Sequence, residues 1–307
     1  MRCLFAGTPE VAAISLRALL ASDHEVVAVL SRPDAPAGRG RTLTPSPVSA
    51  MALDAGIEVL RPFSPHDPDF QARLIELAPE CCPVVAYGGL IPGSLLQVPT
   101  FGWVNLHFSL LPSWRGAAPV QHAVWAGDSV TGATTFVLDE GMDTGPILDS
   151  ITEEIGAQDT SGDVLDRLAH RGAALLVSSL TGLADGSLQP VPQSGPSSAA
   201  PKISVEDAHI DWTQPAEVID RTIRAMTPLP GAWTTVQGER IRLLPVTTMS
   251  LSPEIPPGTL RLGSRDVLVG TGTAPVRLSD VRPAGKRLMA ASDWFRGARL
   301  PSDAAFE

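Results

Sequence analysis

Apolar residues along this chain fall into short blocks separated by charged or turn-forming positions. Residues 3–7 (CLFAG) are apolar throughout, residues 11–20 form an apolar-rich segment read as a helix, and residues 26–30 (VVAVL), before Ser31, are apolar again. Short apolar runs with such boundaries predict buried strands, and the order predicts a β, α, β opening with a parallel sheet. The same reading places strands at residues 84–87, 102–107, 133–139 and 147–151. A long helix is predicted at about 162–183, between Ser161 and Gly186. The first part of the chain is therefore expected to be α/β.

The pattern changes near residue 190. The stretch PVPQSGPSSAAP is rich in Pro and Ser and carries no charge, the composition of an extended connector. Beyond it one helix is predicted at 216–226. Short β-like runs follow at 233–236, 240–245, 267–270 and 276–281, separated by Gly and Pro, which fits a small β barrel or sandwich. The expected organisation is a first domain at 1–190, a linker at 191–202 and a second domain at 203–307. A length of 307 residues agrees with two domains at roughly 100–200 residues each.

Composition narrows the class. Apolar residues make up 44% and charged residues 18%, which excludes a wholly disordered chain, a collagen or a long coiled coil. The net charge of −10 disfavours indiscriminate capture of nucleic acid or anionic membrane, so any polyanion site must be local. The acidity is concentrated: residues 1–200 hold 10 basic and 21 acidic groups, residues 201–307 hold 13 and 12. The uncharged stretch 81–114 is long enough to span a membrane. Pro83, Pro92, Pro99 and Pro112, with several glycines, would break a spanning helix repeatedly. The amino-terminal apolar run is cut at Thr8, Pro9 and Glu10 before it reaches signal-peptide length, and the expected location is the cytoplasm. Cys3, Cys81 and Cys82 offer no CxxC spacing and no disulfide framework, and are expected in the core. No heptad or apolar stripe is evident, so a monomer is expected.

Candidate chemistry lies in two segments. In GWVNLHFSLLPSWRGAAP (102–119) a strand would put Asn105 and His107 on one face, with Leu106 turned away. Alone, such a pair also describes a satisfied core amide and histidine. Residues 139–145 (DEGMDTG) gather three carboxylates among glycines in a loop that could bring Asp143 to an imidazole. The spacing alone equally allows a calcium-like or merely turn-forming acidic loop. Joined, the three groups form an acyl-transfer constellation without a covalent nucleophile: Asn and His⁺ donate to a developing oxyanion and Asp steadies the imidazolium. GxGxxG, P-loop, HExxH and GxSxG motifs are absent, which removes the commonest nucleotide, zincin and serine-hydrolase readings. Residues 32–47 (RPDAPAGRGRTLTPSP) hold four prolines and three arginines, and read as an exposed, locally basic loop.

NLH followed by SLLPSWRGAAP, with DEGMDTG about 35 residues downstream, resembles the signature of the folate-dependent formyltransferase family. The resemblance extends over nearly the whole chain through FAGTPEVA, RPDAPAGRG, PSPV, VVAYGGLIP, WAGD, KISVEDAHIDW and PAGKRLM. It implies a Rossmann-like catalytic domain followed by a small OB-like β barrel. It also implies catalytic roles for Asn105, His107 and Asp143, and a folate-contacting turn at Ser109, Leu110, Leu111 and Pro112. Phe108 stands where relatives usually carry a small residue.

The implied reaction takes the formyl group of 10-formyltetrahydrofolate to the α-amine of methionine esterified to initiator tRNA, with no metal required. The free amine attacks the formyl carbon directly, Asn105 and protonated His107 hold the oxyanion, and Asp143 orients His107 and assists proton transfer. The basic loop, through Arg32, Arg39 and Arg41, is expected to meet the tRNA. Lys202, Arg240, Arg242, Lys286 and Arg287 are further candidates in the second domain. Two alternatives are a formyltransferase for a small amine, such as an amino-sugar nucleotide or glycinamide ribonucleotide, and an RNA-binding module that retains the fold. The basic loop and second domain favour tRNA over the first, and the intact Asn, His and Asp set argues against the second.

Overall fold

The computed structural model describes residues 1–37, 42–249, 254–263, 266–301 and 303–307. The described residues form two compact units. The first comprises Met1–Gly116, Val130–Glu154 and Leu165–Ala200, and the second comprises Ala117–Ser129, Ile155–Val164 and Pro201–Glu307.

Along the first part of the chain the elements are β1 (Arg2–Gly7), α1 (Glu10–Leu20), β2 (Glu25–Leu30), β3 (Ala35–Ala37), β4 (Thr42–Thr44), α2 (Pro47–Asp54), β5 (Glu58–Leu60) and α3 (Pro68–Leu77). They continue with β6 (Cys82–Val85), α4 (Gly93–Leu96), β7 (Trp103–His107), α5 (Pro119–Ala126), β8 (Val130–Val137), β9 (Ile147–Glu154) and α6 (Ser161–Asp185). Seven strands make one sheet in the order β5-β2-β1-β6-β7-β8-β9. The five from β5 to β7 run parallel, while β8 and β9 are each antiparallel to the preceding strand. The expected parallel sheet is thus present from β5 to β7, and two antiparallel strands extend it at one edge. β8 and β9 join through the short 138–146 turn, and a short connection permits only an antiparallel pair.

One face of this sheet buries Leu4, Ala6, Leu30, Val84 and Trp103 together with Phe70 and Leu74 of α3. All three cysteines are free and fully buried, and burial pushes the Cys3 thiol up to about 12. Within the described part of the locally basic segment β3 pairs antiparallel with β4, and Ser46 caps α2. The Pro/Ser-rich stretch is extended but held to the first unit. Arg115 N–H donates to the Ser198 carbonyl (2.9 Å), Ala200 N–H to the Arg115 carbonyl (2.7 Å), and Ile147 and Val191 exchange two bonds of 2.8 Å. Helices α2, α3 and α5 were not among the predicted elements. All three open on a first-turn proline, at Ser46-Pro47, Asp67-Pro68 and Ala118-Pro119, a helix start that short apolar runs obscure.

The second unit adds α7 (Ala216–Ala225), β10 (Trp233–Val236), β11 (Glu239–Leu243), β12 (Thr247–Thr248), β13 (Leu260–Leu262), β14 (Val267–Val269), β15 (Val276–Leu278), β16 (Asp280–Pro283), β17 (Met289–Ala290) and α8 (Ala291–Ala298). Its small-sheet architecture consists of two four-stranded sheets, β10-β11-β16-β17 and β12-β15-β14-β13. The predicted strand at 276–281 divides at Ser279 into β15 and β16, which lie in different sheets. Two excursions from earlier in the chain complete this unit. Trp125 Nε1 of α5 donates to Thr222 Oγ1 of α7 (3.0 Å), and Arg224, paired with Asp220, donates to the Asp159 carbonyl (3.0 Å).

Candidate active site

Asn105 and His107 lie at the carboxyl end of β7, where open α/β sheets bind their ligands. Alternation assigns the faces. Leu106 points to α6, where its side chain touches Gly172, while Trp103 on the other face donates its indole N–H to the Leu95 carbonyl at 2.8 Å. Asn105 and His107 share the Trp103 side by the period of two. Among the described residues the half-buried Asn105 amide has no hydrogen-bonding partner, so it is available to an incoming group.

His107 is only 6% exposed. Its Nε2 lies 2.9 Å from the Trp114 carbonyl oxygen, which can only accept, so Nε2 carries a proton. Its Nδ1 lies 3.6 Å from Asp143 Oδ2. Asp143 is fixed in turn by the Gly116 N–H, which donates to Oδ2 at 2.7 Å. Burial pushes the His107 pKa below the ordinary histidine value, and it outweighs the Asp143 charge and the Trp114 carbonyl, which both favour the cation. The surroundings therefore favour the neutral imidazole, with the Asp143 carboxylate near its Nδ1.

The backbone around the pair is unusual. Trp114 (φ 60°) and Asp143 (φ 52°) both occupy the left-handed region, sparsely used by side-chain-bearing residues and concentrated at functional sites. Two glycines make the close approach possible. A Cβ at Gly116 would meet the Ala200 carbonyl oxygen at 2.6 Å, and one at Gly145 would fall onto the Val137 carbonyl oxygen.

The 109–112 turn follows β7 directly. Ser109 is fully buried, and its hydroxyl donates to the Ser113 carbonyl at 2.6 Å. Thr134 of β8 braces the turn by donating to the Ser109 carbonyl (2.6 Å) and accepting from the Leu111 N–H (3.2 Å). Leu111 is also buried, so Leu110 and Pro112 form the accessible, apolar part of the turn. Phe108 is buried in the first unit. Arg32 lies near the other strand ends, with its N–H on Thr8 Oγ1 (3.4 Å) and its guanidinium on the Phe63 carbonyl (3.3 Å). Arg39 and Arg41 lie outside the described residues.

Sequence reading did not anticipate the parts played by the Trp114 carbonyl, the Gly116 N–H and Gln193. The first two are main-chain groups, for which side-chain patterns give no signal. Gln193 stood within a stretch whose composition signals only a connector.

Residues 1–180 match the formyl transferase family model, and residues 202–299 match the formyl transferase C-terminal domain. A methionyl-tRNA formyltransferase of Nocardioides sp. is 59% identical over 98% of this chain and 96% of its own length. The solved structure of WlaRD, a sugar 3N-formyl transferase, superposes with a TM-score of 0.68 at 16% identity over 94% of this chain and 99% of its own. Methionyl-tRNA formyltransferase from Clostridium thermocellum superposes with a TM-score of 0.57 at 15% identity over 82% of this chain and 95% of its own. The two structures establish the shared fold and no more. With both family regions matched in order and a full-length relative at 59% identity, the chain belongs to the formyl transferase family.

Proposed function

We infer that the protein transfers the formyl group of 10-formyltetrahydrofolate to the α-amine of methionyl initiator tRNA, yielding formylmethionyl-tRNA for translation initiation. The observation that carries this reading is the full-length likeness to methionyl-tRNA formyltransferases, which includes the second domain. The fold does not select the acceptor, because a sugar formyltransferase shares it. In this reading residues 1–190 carry the chemistry, 191–202 connect, and 203–307 with the Arg32 loop, including Arg39 and Arg41, grip the tRNA. The protein acts as a cytoplasmic monomer.

The residues present suit such a formyl donor. Leu110 and Pro112, partly exposed in the turn after β7, are the apolar groups this reading gives to the folate, and the Asn105 amide is unpartnered among the described residues. The bound folate supplies an activated formyl group, and the remaining work falls to the chain. Asn105 donates to the formyl oxygen as negative charge grows there. His107 Nε2–H exchanges the neutral Trp114 carbonyl for that oxygen, a change favoured because hydrogen bonds to a charged acceptor are roughly twice as strong. Asp143 stabilises positive charge on His107 and, through a water, relays the proton lost by the attacking amine toward the departing nitrogen.

A formylation assay with purified protein, 10-formyltetrahydrofolate and methionyl initiator tRNA, beside uncharged tRNA and free methionine, tests the reading. Formyl transfer only to the charged tRNA is expected. Folate binding with transfer to a small amine instead would place the protein among the sugar or ribonucleotide formyltransferases.

A further inference from the structure

The side chain of Gln193 is used completely. Its Nε2 donates to the Asp143 and Gly145 carbonyls, each at 2.8 Å, while its Oε1 accepts from Arg115 Nε (3.2 Å) and Nη2 (2.6 Å). The residues it joins are those that build the site. Arg115 stands between Trp114, whose carbonyl receives His107, and Gly116, whose N–H fixes the Asp143 carboxylate. The two carbonyls flank the turn in which Asp143 holds its left-handed backbone.

We propose that Gln193 is a positioning residue for formyl transfer, tying the 143–145 turn to the 114–116 turn so that Asp143 stays against His107. The proposal rests on the reading of Asn105, His107 and Asp143 as the reacting groups. It assigns chemistry to a segment whose composition reads as an inert connector.

The connector does not depend on Gln193 for its attachment. It is fixed on one side by the paired bonds of Val191 with Ile147. On the other side it is held by Ser198 and Ala200 against Arg115, and by Ser198 Oγ, which accepts from the Trp114 N–H at 2.8 Å. Loss of the amide should therefore leave the segment in place and release the Asp143 turn. Glutamate nearly matches glutamine in shape and can still pair with Arg115, but it has no N–H for either carbonyl. Methionine keeps the reach and removes every polar atom.

The test compares the parent, Gln193→Glu, Gln193→Met, Asp143→Asn and the double variant Gln193→Glu with Asp143→Asn, measuring kcat, KM for each substrate and Tm. Each Gln193 variant should lower kcat by about ten- to a hundredfold, the scale of a misplaced reacting group, with both KM values nearly unchanged. Tm should stay within a few degrees of the parent. In the Asp143→Asn background Gln193→Glu should cost less than about twofold, because a residue that acts through another has nothing left to act on. Parent-like kcat in both Gln193 variants would overturn the proposal. So would an equal fold-loss in the two backgrounds, the mark of a merely structural staple. A parent-like rate for Asp143→Asn alone would instead overturn the site reading beneath it, and that single variant shows the difference.

Discussion

At the scale of residues, the candidate site combines the unpartnered Asn105 amide with a buried imidazole, His107, near the Asp143 carboxylate. Asn105→Ala should lower kcat by about 10²- to 10³-fold, roughly 3–4 kcal/mol, with folate binding retained, as for removal of an oxyanion donor. Parent-like turnover would remove Asn105 from the mechanism. Asp143→Asn should cost as much or more in kcat. The amide oxygen can still accept from Gly116 N–H, but the charge that supports His107 is gone. The pH dependence of stability gives an independent check. Burial depresses the His107 pKa, so between that value and about 6.5 the unfolded chain binds more protons than the native one. Stability contributed by this site is then complete above about 6.5 and is lost as pH falls through the window. Relative to His107→Gln, the parent's unfolding free energy in urea should decline on going from pH 7.5 to 5.5. His24, also depressed by burial, is common to both proteins and cancels. A difference independent of pH would contradict a depressed His107.

At the scale of elements, β7 and the turns around it hold the candidate site residues in register. β7 supplies two positions of one face, Thr134 of the neighbouring β8 braces the 109–112 turn, and the β8–β9 connection carries Asp143. Backbone closeness at Gly145 is part of this design. Gly145→Ala would drive a methyl group into the Val137 carbonyl, whose strand continues into the Asp143 turn. A loss of about 1–3 kcal/mol in urea unfolding is expected, the cost of overpacking, together with reduced kcat. An unchanged unfolding midpoint would show that the turn can move away. Much of β7 was readable in advance: its span, and the shared face of Asn105 and His107, follow from the period of two. The antiparallel direction of β8 and β9 was not, because strand direction depends on the connection and on which neighbour is free.

At the scale of the whole molecule, an acidic chain can hold tRNA only where positive charge is gathered locally. The sheet β10-β11-β16 provides such a face. Arg242 stands in register with Trp233 on one side and Arg282 on the other, and the Arg240 guanidinium lies 4.0 Å over the Trp233 ring. An exposed arginine over an indole suits both phosphate and stacked-base contacts. Arg240→Ala should raise KM for the tRNA substrate and flatten its salt dependence, with the slope of log affinity against log salt falling by about 1 per lost phosphate contact. KM for the folate should not change. An unaltered salt slope would remove this face from tRNA binding.

By itself the sequence determined what is local or periodic. The apolar runs marked four of the five parallel strands, with β5 missed, the cysteines were legible as core, and Asn105 and His107 fell on one face of a single strand. The ordered motif blocks pointed to the family. Tertiary structure alone decided what depends on distant segments meeting. It brought Asp143 to His107 across 36 positions of chain and gathered residues 117–129 and 155–164 into the second unit. It also set the protonation of His107, because desolvation is a property of the surroundings and not of the residue. The hydrogen-bond donors of Gly116 and Gln193 acquire their roles in the same way. A main-chain N–H carries no sequence signature, and a connector glutamine becomes part of the site only when the fold lays it across the turn that holds Asp143.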